Sequence, residues 1–187
     1  MSNPKKIMHH FKAQFCALLL FCSVLSIAQT EEQKSRFPEL RGALIMGNSH
    51  IPQATEGGKS VVVIPTWGID LDYVFNQKWA VGFQTDIKLQ SFVVEDKNNI
   101  ELARNYPASF TIVGLFRPLP HLAVFTGPGI EYEESKSLWI FKLGAEYIYE
   151  FSEKFELGVG LIYENREELY DGITLGVSFN FLLANRK

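Results

Sequence analysis

Residues 65–90 read PTWGIDLDYVFNQKWAVGFQTDIKLQ, and large apolar side chains occupy alternate positions in both halves of this stretch. The first half spans 67–75 and the second spans 79–89, with three polar residues between them. A period of two places alternate side chains on opposite faces of a β-strand. Two such strands joined by three polar residues predict an antiparallel hairpin with one aromatic, apolar face and one face of small or charged residues.

The first 28 residues are typical of a cleavable signal peptide. They combine a basic start, an apolar run over 15–28 and small residues at the cleavage positions Ser26 and Ala28. The apolar run is shorter than the roughly 20 residues of a membrane-spanning helix. Both cysteines, Cys16 and Cys22, lie in this segment, so the mature chain is predicted to have no disulfide, thiolate ligand or cysteine nucleophile.

The mature chain is predicted to be acidic. Removing the three signal-peptide lysines from 18 basic residues leaves 15 against 21 acids, a net charge of −6. A chain of this charge, without a basic stripe to neutralise phosphates, is not expected to bind nucleic acid.

The same alternation recurs along the chain and predicts eight β-strands with no helical period between them. The predicted strands cover 40–46, 67–75, 79–89, 106–116, 122–132, 139–151, 155–164 and 173–182. Tight turns are predicted at 76–78, 117–120 and 152–154, and longer loops at 47–59, 94–105, 133–137 and 165–172. The predicted domains are a signal peptide at 1–28, a polar lead-in at 29–39, a β-barrel at 40–183 and a tail at 184–187.

The faces of these strands decide between a soluble barrel and a membrane barrel. Eight strands enclose only enough room for side chains, so an aromatic at nearly every inward position would not fit. The aromatic face must therefore point outward, which is tolerable only in lipid, and a closed barrel satisfies every backbone group there. The sequence predicts an all-β, eight-stranded antiparallel up-and-down transmembrane barrel.

The outward aromatics sort into two groups, as interfacial rings do in membrane proteins. The group beside the longer loops comprises Trp67, Tyr106, Tyr132, Trp139 and Tyr163. The group beside the tight turns comprises Tyr73, Phe75, Trp79, Phe116, Tyr149, Phe151, Phe155 and Phe181. Since short turns face the periplasm in such barrels, both termini are predicted to be periplasmic.

These features resemble the small outer-membrane β-barrel family of OmpA/OmpX type, over about 40–183. The resemblance rests on the signal peptide, the eight alternating strands, turns such as Phe75-Asn76-Gln77-Lys78-Trp79 and the stretch TGPGIE at 126–131. It implies a Gram-negative-type outer membrane, contact with its lipid and insertion by the barrel-assembly machinery. Two departures are that Phe181 is followed by six more residues, and that Pro128 interrupts a strand and predicts a bulge or kink.

The inward face carries a set of polar residues that we predict to fill the lumen. They are Asp70, Asp72, Gln84, Asp86, Lys88, Glu131, Lys142, Glu146, Glu150, Glu156 and Glu164. Because an unpaired buried charge costs several kcal/mol, Lys88 and Lys142 are each expected to lie among acids. The excess of acids is compatible with shared protons, a bound cation or positions near the rims.

No catalytic residue, cofactor or metal site is predicted. The mature chain has two histidines, and neither His50, beside Ser49, nor His121 has a diagnostic spacing. The favoured function is a non-enzymatic barrel with a structural or contact role through its outer loops 47–59 and 94–105. A narrow porin-like ion conduit and a lipid-modifying enzyme are the alternatives.

Overall fold

The structure, a computed structural model, describes residues 37–52, 54–55, 62–95, 101–134, 136–167 and 169–185. The predicted signal peptide lies outside these residues, as does the lead-in up to residue 36.

Eight strands form a closed antiparallel barrel, as predicted. They are β1 (Glu39–Ile51), β3 (Val62–Val74), β4 (Trp79–Lys88), β7 (Ala108–Leu119), β8 (Leu122–Tyr132), β9 (Leu138–Ser152), β10 (Phe155–Arg166) and β11 (Tyr170–Asn185). Around the barrel the order is β1-β11-β10-β9-β8-β7-β4-β3, and β3 closes the ring against β1. Three short strands, β2 (Ala54–Thr55), β5 (Phe92–Glu95) and β6 (Glu101–Arg104), form a separate sheet in the order β2-β5-β6.

No helix among the described residues has the length and apolar character needed to cross a membrane.

The hairpin predicted from residues 65–90 is confirmed. Strands β3 and β4 pair in register from Thr66↔Lys88 to Val74↔Ala80. The side-chain oxygen of Asn76 closes the turn, since it accepts hydrogen bonds from the backbone amides of Lys78 and Trp79, at 2.9 and 3.1 Å.

The strands extend further than predicted at the end of the barrel that carries the longer connections, which we call the loop end. Parts of the predicted loops 47–59 and 165–172 are strand, because β1 reaches Ile51, β10 reaches Arg166 and β11 begins at Tyr170. The predicted loop 94–105 likewise contains β6 and the end of β5. These predictions were wrong because neither the apolar burial nor the buried ion pairs that stabilise the extra strand length were recognised there.

That burial forms an apolar cap over the loop end of the barrel. Its buried members are Ile51, Val62, Ile64, Phe92, Val94, Leu138 and Tyr170. They come from five strands, including β5 of the small sheet, and Leu102 and Leu169 pack against them. The barrel therefore has an apolar core at its loop end, in addition to the smaller buried apolar cluster of Val113, Leu115 and Phe125 inside the barrel.

The opposite end, which we call the turn end, differs from prediction in smaller ways. Strand β7 continues to Leu119, so the turn lies at Pro120 and His121 rather than at 117–120. Strand β11 continues to Asn185, past the predicted boundary at 183. Pro128 interrupts the pairing of β8 with β7 without shifting its register, so the predicted bulge is absent there.

The distribution of side chains is the inverse of that in a soluble protein. Ile69, Ile112 and Trp139 on the outer surface are each more than 60% exposed, whereas Lys88 and Arg166 inside are fully buried. Charged side chains are rarely buried unless they are paired, and contiguous apolar exteriors of this size belong in lipid. The barrel wall is therefore a membrane-facing surface around a charged interior.

Candidate functional site

The structure places ten of the eleven predicted lumen residues inside the barrel. Seven are buried: Asp70, Gln84, Lys88, Glu131, Lys142, Glu156 and Glu164. Three are half-buried: Asp72, Asp86 and Glu146. The eleventh, Glu150, is exposed near the turn end of β9. Together with residues that the sequence analysis missed, these side chains form three layers along the barrel axis.

The first layer, the loop-end network, contains both lysines of the predicted set. Lys142 Nζ lies 3.1 Å from Asp86 Oδ2 and 3.6 Å from Glu164 Oε1. Lys88 Nζ lies 3.3 Å from Asp86 Oδ1 and 3.5 Å from Glu164 Oε2. The expectation that each lysine lies among acids is confirmed.

Arg104, which the sequence analysis assigned to a loop, belongs to the same network. Its Nη2 lies 2.7 Å from Glu131 Oε1, its Nη1 lies 3.4 Å from Glu133 Oε2, and it also donates to the carbonyl oxygen of Lys136. Arg104 is fully buried, and these contacts tie β6 of the small sheet to the barrel strand β8 and to the segment that follows it.

Arg166 occupies the centre of the network. It donates hydrogen bonds to Glu131 and to Glu164, and its guanidinium carbon lies 4.7 Å from the centroid of the Tyr170 ring. The Tyr170 hydroxyl donates to Glu131. Tyr170 therefore joins the charged network to the apolar cap, of which its ring is a part.

The loop-end network is electrically balanced. Its members are the cations Lys88, Arg104, Lys142 and Arg166 and the acids Asp86, Glu131, Glu133 and Glu164. Balanced, hydrogen-bonded charges of this kind offset the cost of their desolvation, which single buried charges cannot do. The sequence contained a signal for Arg166, since it lies two residues after Glu164, which was predicted to face the lumen.

The second layer closes the turn end. Arg41 Nη2 lies 2.8 Å from Glu39 Oε2, and Arg41 also pairs with Glu156. Arg117 Nη2 lies 3.7 Å from the other oxygen of Glu156. Arg41 was missed because the phase of the first strand could not be set from the sequence, whereas the structure turns it inward. This turn-end network again balances two cations with two acids.

The third layer, the central chamber, lies between the two networks and has a different composition. Asp70, Asp72, Gln84 and Glu146 line one cavity there. Within the described part of the chain, none of the three acids forms a salt bridge, and Glu146 accepts a hydrogen bond from Ser178. The chamber thus holds three carboxyl groups without a paired cation.

Two glycines make room for the acids of the chamber. A Cβ at residue 82 would overlap the carboxylate of Asp72, and a Cβ at residue 158 would overlap both Glu146 and the Ser178 hydroxyl. Glycine leaves that space open. These inward glycines therefore accommodate long polar side chains rather than widen an open pore.

The residues considered for catalysis do not assemble into a site. Ser49 is buried and its hydroxyl lies 2.6 Å from those of Thr66 and Thr174, whereas His50 is exposed on the opposite face of β1. His121 lies in a turn, where its ring is 6.1 Å from that of Tyr147. Among the residues that the structure describes, no group of three His, Cys, Asp or Glu side chains is arranged to hold a metal ion.

The predicted aromatics all lie outside the lumen. Eleven of the thirteen are exposed, and Phe116 and Phe181 are half-buried. The Phe116 ring packs against Trp79 with centroids 4.6 Å apart, and Phe181 lies 6.5 Å from Phe179. Rings thus cluster on the outer surface near the turn end, where an interfacial aromatic group was predicted.

Comparisons with known proteins return solved structures of low similarity to this chain. Ail from Yersinia pestis, in complex with the heparin analogue sucrose octasulfate, is 16% identical with a TM-score of 0.46, over 76% of this chain and 99% of that one. The N-terminal β-barrel domain of Pseudomonas aeruginosa OprF is 14% identical with a TM-score of 0.46, over 75% and 97%. Neisserial surface protein A is 8% identical with a TM-score of 0.47, over 76% and 96%. No protein-family model and no curated protein matches the sequence.

The assignment of the fold rests on the structure of this chain. Its strand order closes into an eight-stranded antiparallel ring, its exterior is apolar and aromatic, and its charges are paired inside. Only helices and closed barrels satisfy their backbone groups within a bilayer. The chain is a small β-barrel of the outer-membrane type.

Proposed function

We propose that this protein is a non-enzymatic, non-conducting barrel of a Gram-negative-type outer membrane, with its termini in the periplasm and a contact role at its loop end. The observation that carries the proposal is the pair of balanced charge networks, with the apolar cap above one of them. Side chains fill an eight-stranded barrel, whereas barrels with an aqueous channel have 16 or more strands.

The loop end supports a contact role because it is built as a structured surface. The small β2-β5-β6 sheet lies in the chain around the predicted contact loops 47–59 and 94–105. Arg104 links that sheet to the barrel through buried ion pairs, and Phe92 and Val94 anchor it in the apolar cap. A rigid support of this kind presents exposed side chains at low entropic cost, which favours binding.

The porin-like alternative is less well supported. A permeating ion would have to pass the Lys88 and Lys142 ammonium groups, which form ion pairs across the lumen, and then the apolar cap. Within the described ranges, the serine and histidine considered for the lipid-modifying alternative do not form a nucleophile–base pair, since Ser49 and His50 lie on opposite faces of one strand.

Planar-bilayer recording of the purified, folded barrel tests the proposal. We expect no steady single-channel steps and no uptake of small sugars by liposomes that contain it. A change of gel mobility on boiling verifies that the sample is folded. Reproducible conductance steps from folded protein, with an ion selectivity altered by Lys142→Ala, would overturn the proposal and favour the conduit.

A further inference from the structure

The central chamber differs from the layers on either side of it in its charge. Four cations meet four acids in the loop-end network, and two cations meet two acids in the turn-end network. Asp70, Asp72 and Glu146 remain, and no lysine or arginine among the described residues forms a salt bridge with them. Charged carboxylates in a barrel interior are costly when no cation is paired with them, so this layer requires another source of compensation.

Free oxygen atoms line the chamber. Asp70 Oδ1, Asp72 Oδ1 and Gln84 Oε1 are buried and have no hydrogen-bond partner. Asp70 and Gln84 are 6% and 4% exposed, and they are register partners on the adjacent strands β3 and β4. The structure therefore places three residues with unsatisfied acceptors in the lining of one cavity.

Gln84 indicates a ligand in the chamber independently of the three acids. An amide oxygen has no charge to repel and no proton to share, yet here it is buried without a donor. Buried polar atoms in native proteins are satisfied in the great majority of cases. A donor or a cation in the cavity would satisfy this amide oxygen and the carboxylate oxygens together.

The cavity also has space for such a ligand. Asp70 and Gln84 line both the central chamber and a second cavity that extends toward Lys142 and Glu164. Each cavity has room for roughly one or two water-sized groups. A small cation with one or two waters fits this space, and a bulky organic cation does not.

The chemistry of the oxygens selects the class of ion. Carboxylate, amide and water oxygens are the ligands of hard cations, and no soft sulfur or imidazole ligand lines the chamber. Divalent ions favour several carboxylates in direct coordination, whereas these acids are not arranged as a three-ligand metal cluster. A singly charged ion, held by Asp70 and Gln84 with water completing its shell, is the better match.

We propose that the central chamber binds one small monovalent cation, of the sodium class, at the Asp70, Asp72 and Gln84 oxygens. The ion is a structural component of the lumen. It enters as the barrel closes and does not cross the barrel, because Lys88 and Lys142 repel it at the loop end and Arg41 does so at the turn end. The proposal goes beyond the contact role. It is tested by measuring folding stability, whereas the proposed function is tested by recording conductance, so the failure of one can be told from the failure of the other.

Urea titration of the barrel folded in lipid vesicles tests the site. The midpoint is measured in sodium chloride and in choline chloride at equal ionic strength. A ligand that binds only the folded state stabilises it by mass action, so above the dissociation constant a tenfold rise in sodium raises the folding equilibrium constant about tenfold. We expect this increase with sodium, and we expect no increase with choline.

Three variants test whether the sodium dependence of folding stability arises in the central chamber. The double variant Asp70→Asn/Asp72→Asn removes the charge, and Gln84→Lys supplies a tethered ammonium in place of the ion; both are expected to lose the sodium dependence. Glu150→Gln, which removes an exposed acid of the same set, should keep it. Equal midpoints of the wild-type barrel in the two salts would overturn the proposal, as would an undiminished sodium effect in the double variant.

A second measurement does not depend on variants that fold. High-resolution crystals of the wild-type barrel grown in sodium chloride should show a density peak between Asp70 and Gln84 whose contacts to their oxygens are shorter than hydrogen bonds, and crystals grown in choline chloride should lack it. A chamber without such a peak in sodium chloride, or the same peak in choline chloride, would overturn the assignment. The chamber acids would then be neutralised by protons or by water alone.

Discussion

Replacing Arg166 by methionine is the sharpest test of the loop-end network. Arg166 is fully buried and donates to two acids, Glu131 and Glu164. The change Arg166→Met keeps a long side chain of similar reach but leaves four acids facing three cations. Removing one partner of a buried ion pair typically costs about 3–5 kcal/mol, because the remaining charge is left uncompensated. At about 1.4 kcal/mol for each factor of ten, the folding equilibrium constant should fall by roughly two to four powers of ten.

The double variant Arg166→Met/Glu164→Gln provides the matched comparison. It restores the balance of charge with three acids and three cations, so its loss of stability should be clearly smaller than that of Arg166→Met alone. Urea titrations of the folded barrel in vesicles measure both, with the exposed turn substitution Lys154→Met as a control expected within about 0.5 kcal/mol of wild type. A cost below about 1 kcal/mol for Arg166→Met would refute the reasoning, since that is the magnitude of a solvent-exposed pair.

Three further outcomes follow from packing and topology. Gly127→Ala should reduce the yield of folded barrel sharply, because its Cβ would overlap the backbone of β7, whereas Gly114→Ala meets no atom within 4 Å and should be near neutral in the same folding assay. Phe83→Arg should cost about 2–4 kcal/mol in a urea titration because Phe83 faces lipid in the middle of β4, and a greater loss in Gln84→Arg would invert the assigned faces of β4. An epitope inserted between β5 and β6 should be labelled on intact cells, and one inserted at Gln77 should be labelled only after the outer membrane is opened; equal labelling would contradict the topology.

Much of the barrel wall was predictable from the sequence because lipid imposes a strict rule on it. Every lipid-facing position must be apolar, so the alternation over 67–89 and 139–164 is nearly unbroken and determines strand type, register and face. The tight turns follow from the same pattern, since a short polar interruption leaves the chain only enough length to reverse. That Lys88 and Lys142 would each pair with acids was also predictable, although the particular acids were not, because an unpaired lysine inside a barrel is too costly.

The loop end was harder to predict because the strands pass there from lipid into water. At the loop end, β1 and β11 turn Ile51 and Tyr170 inward and carry the polar residues His50 and Asp171 on the other face, which is the reverse of the rule that holds in lipid. Residues such as Arg104 and Tyr170 therefore resemble parts of polar loops in the sequence. Their burial depends on partners far away in the chain, such as Glu131, and no local pattern reveals those contacts.

The ion pairs across the lumen have a consequence for the order of events in assembly. Asp86 on β4 and Lys142 on β9 lie 3.1 Å apart, although β7 and β8 separate their strands within the sheet. Such contacts cannot form along an open, growing sheet, since they need the ring to curve until its two sides face each other. An incomplete barrel would carry these charges unpaired at a membrane, and only the pairing of β1 with β11 removes that penalty. Closure should therefore be an all-or-none, late and slow step, because contacts so distant in sequence are the last to form.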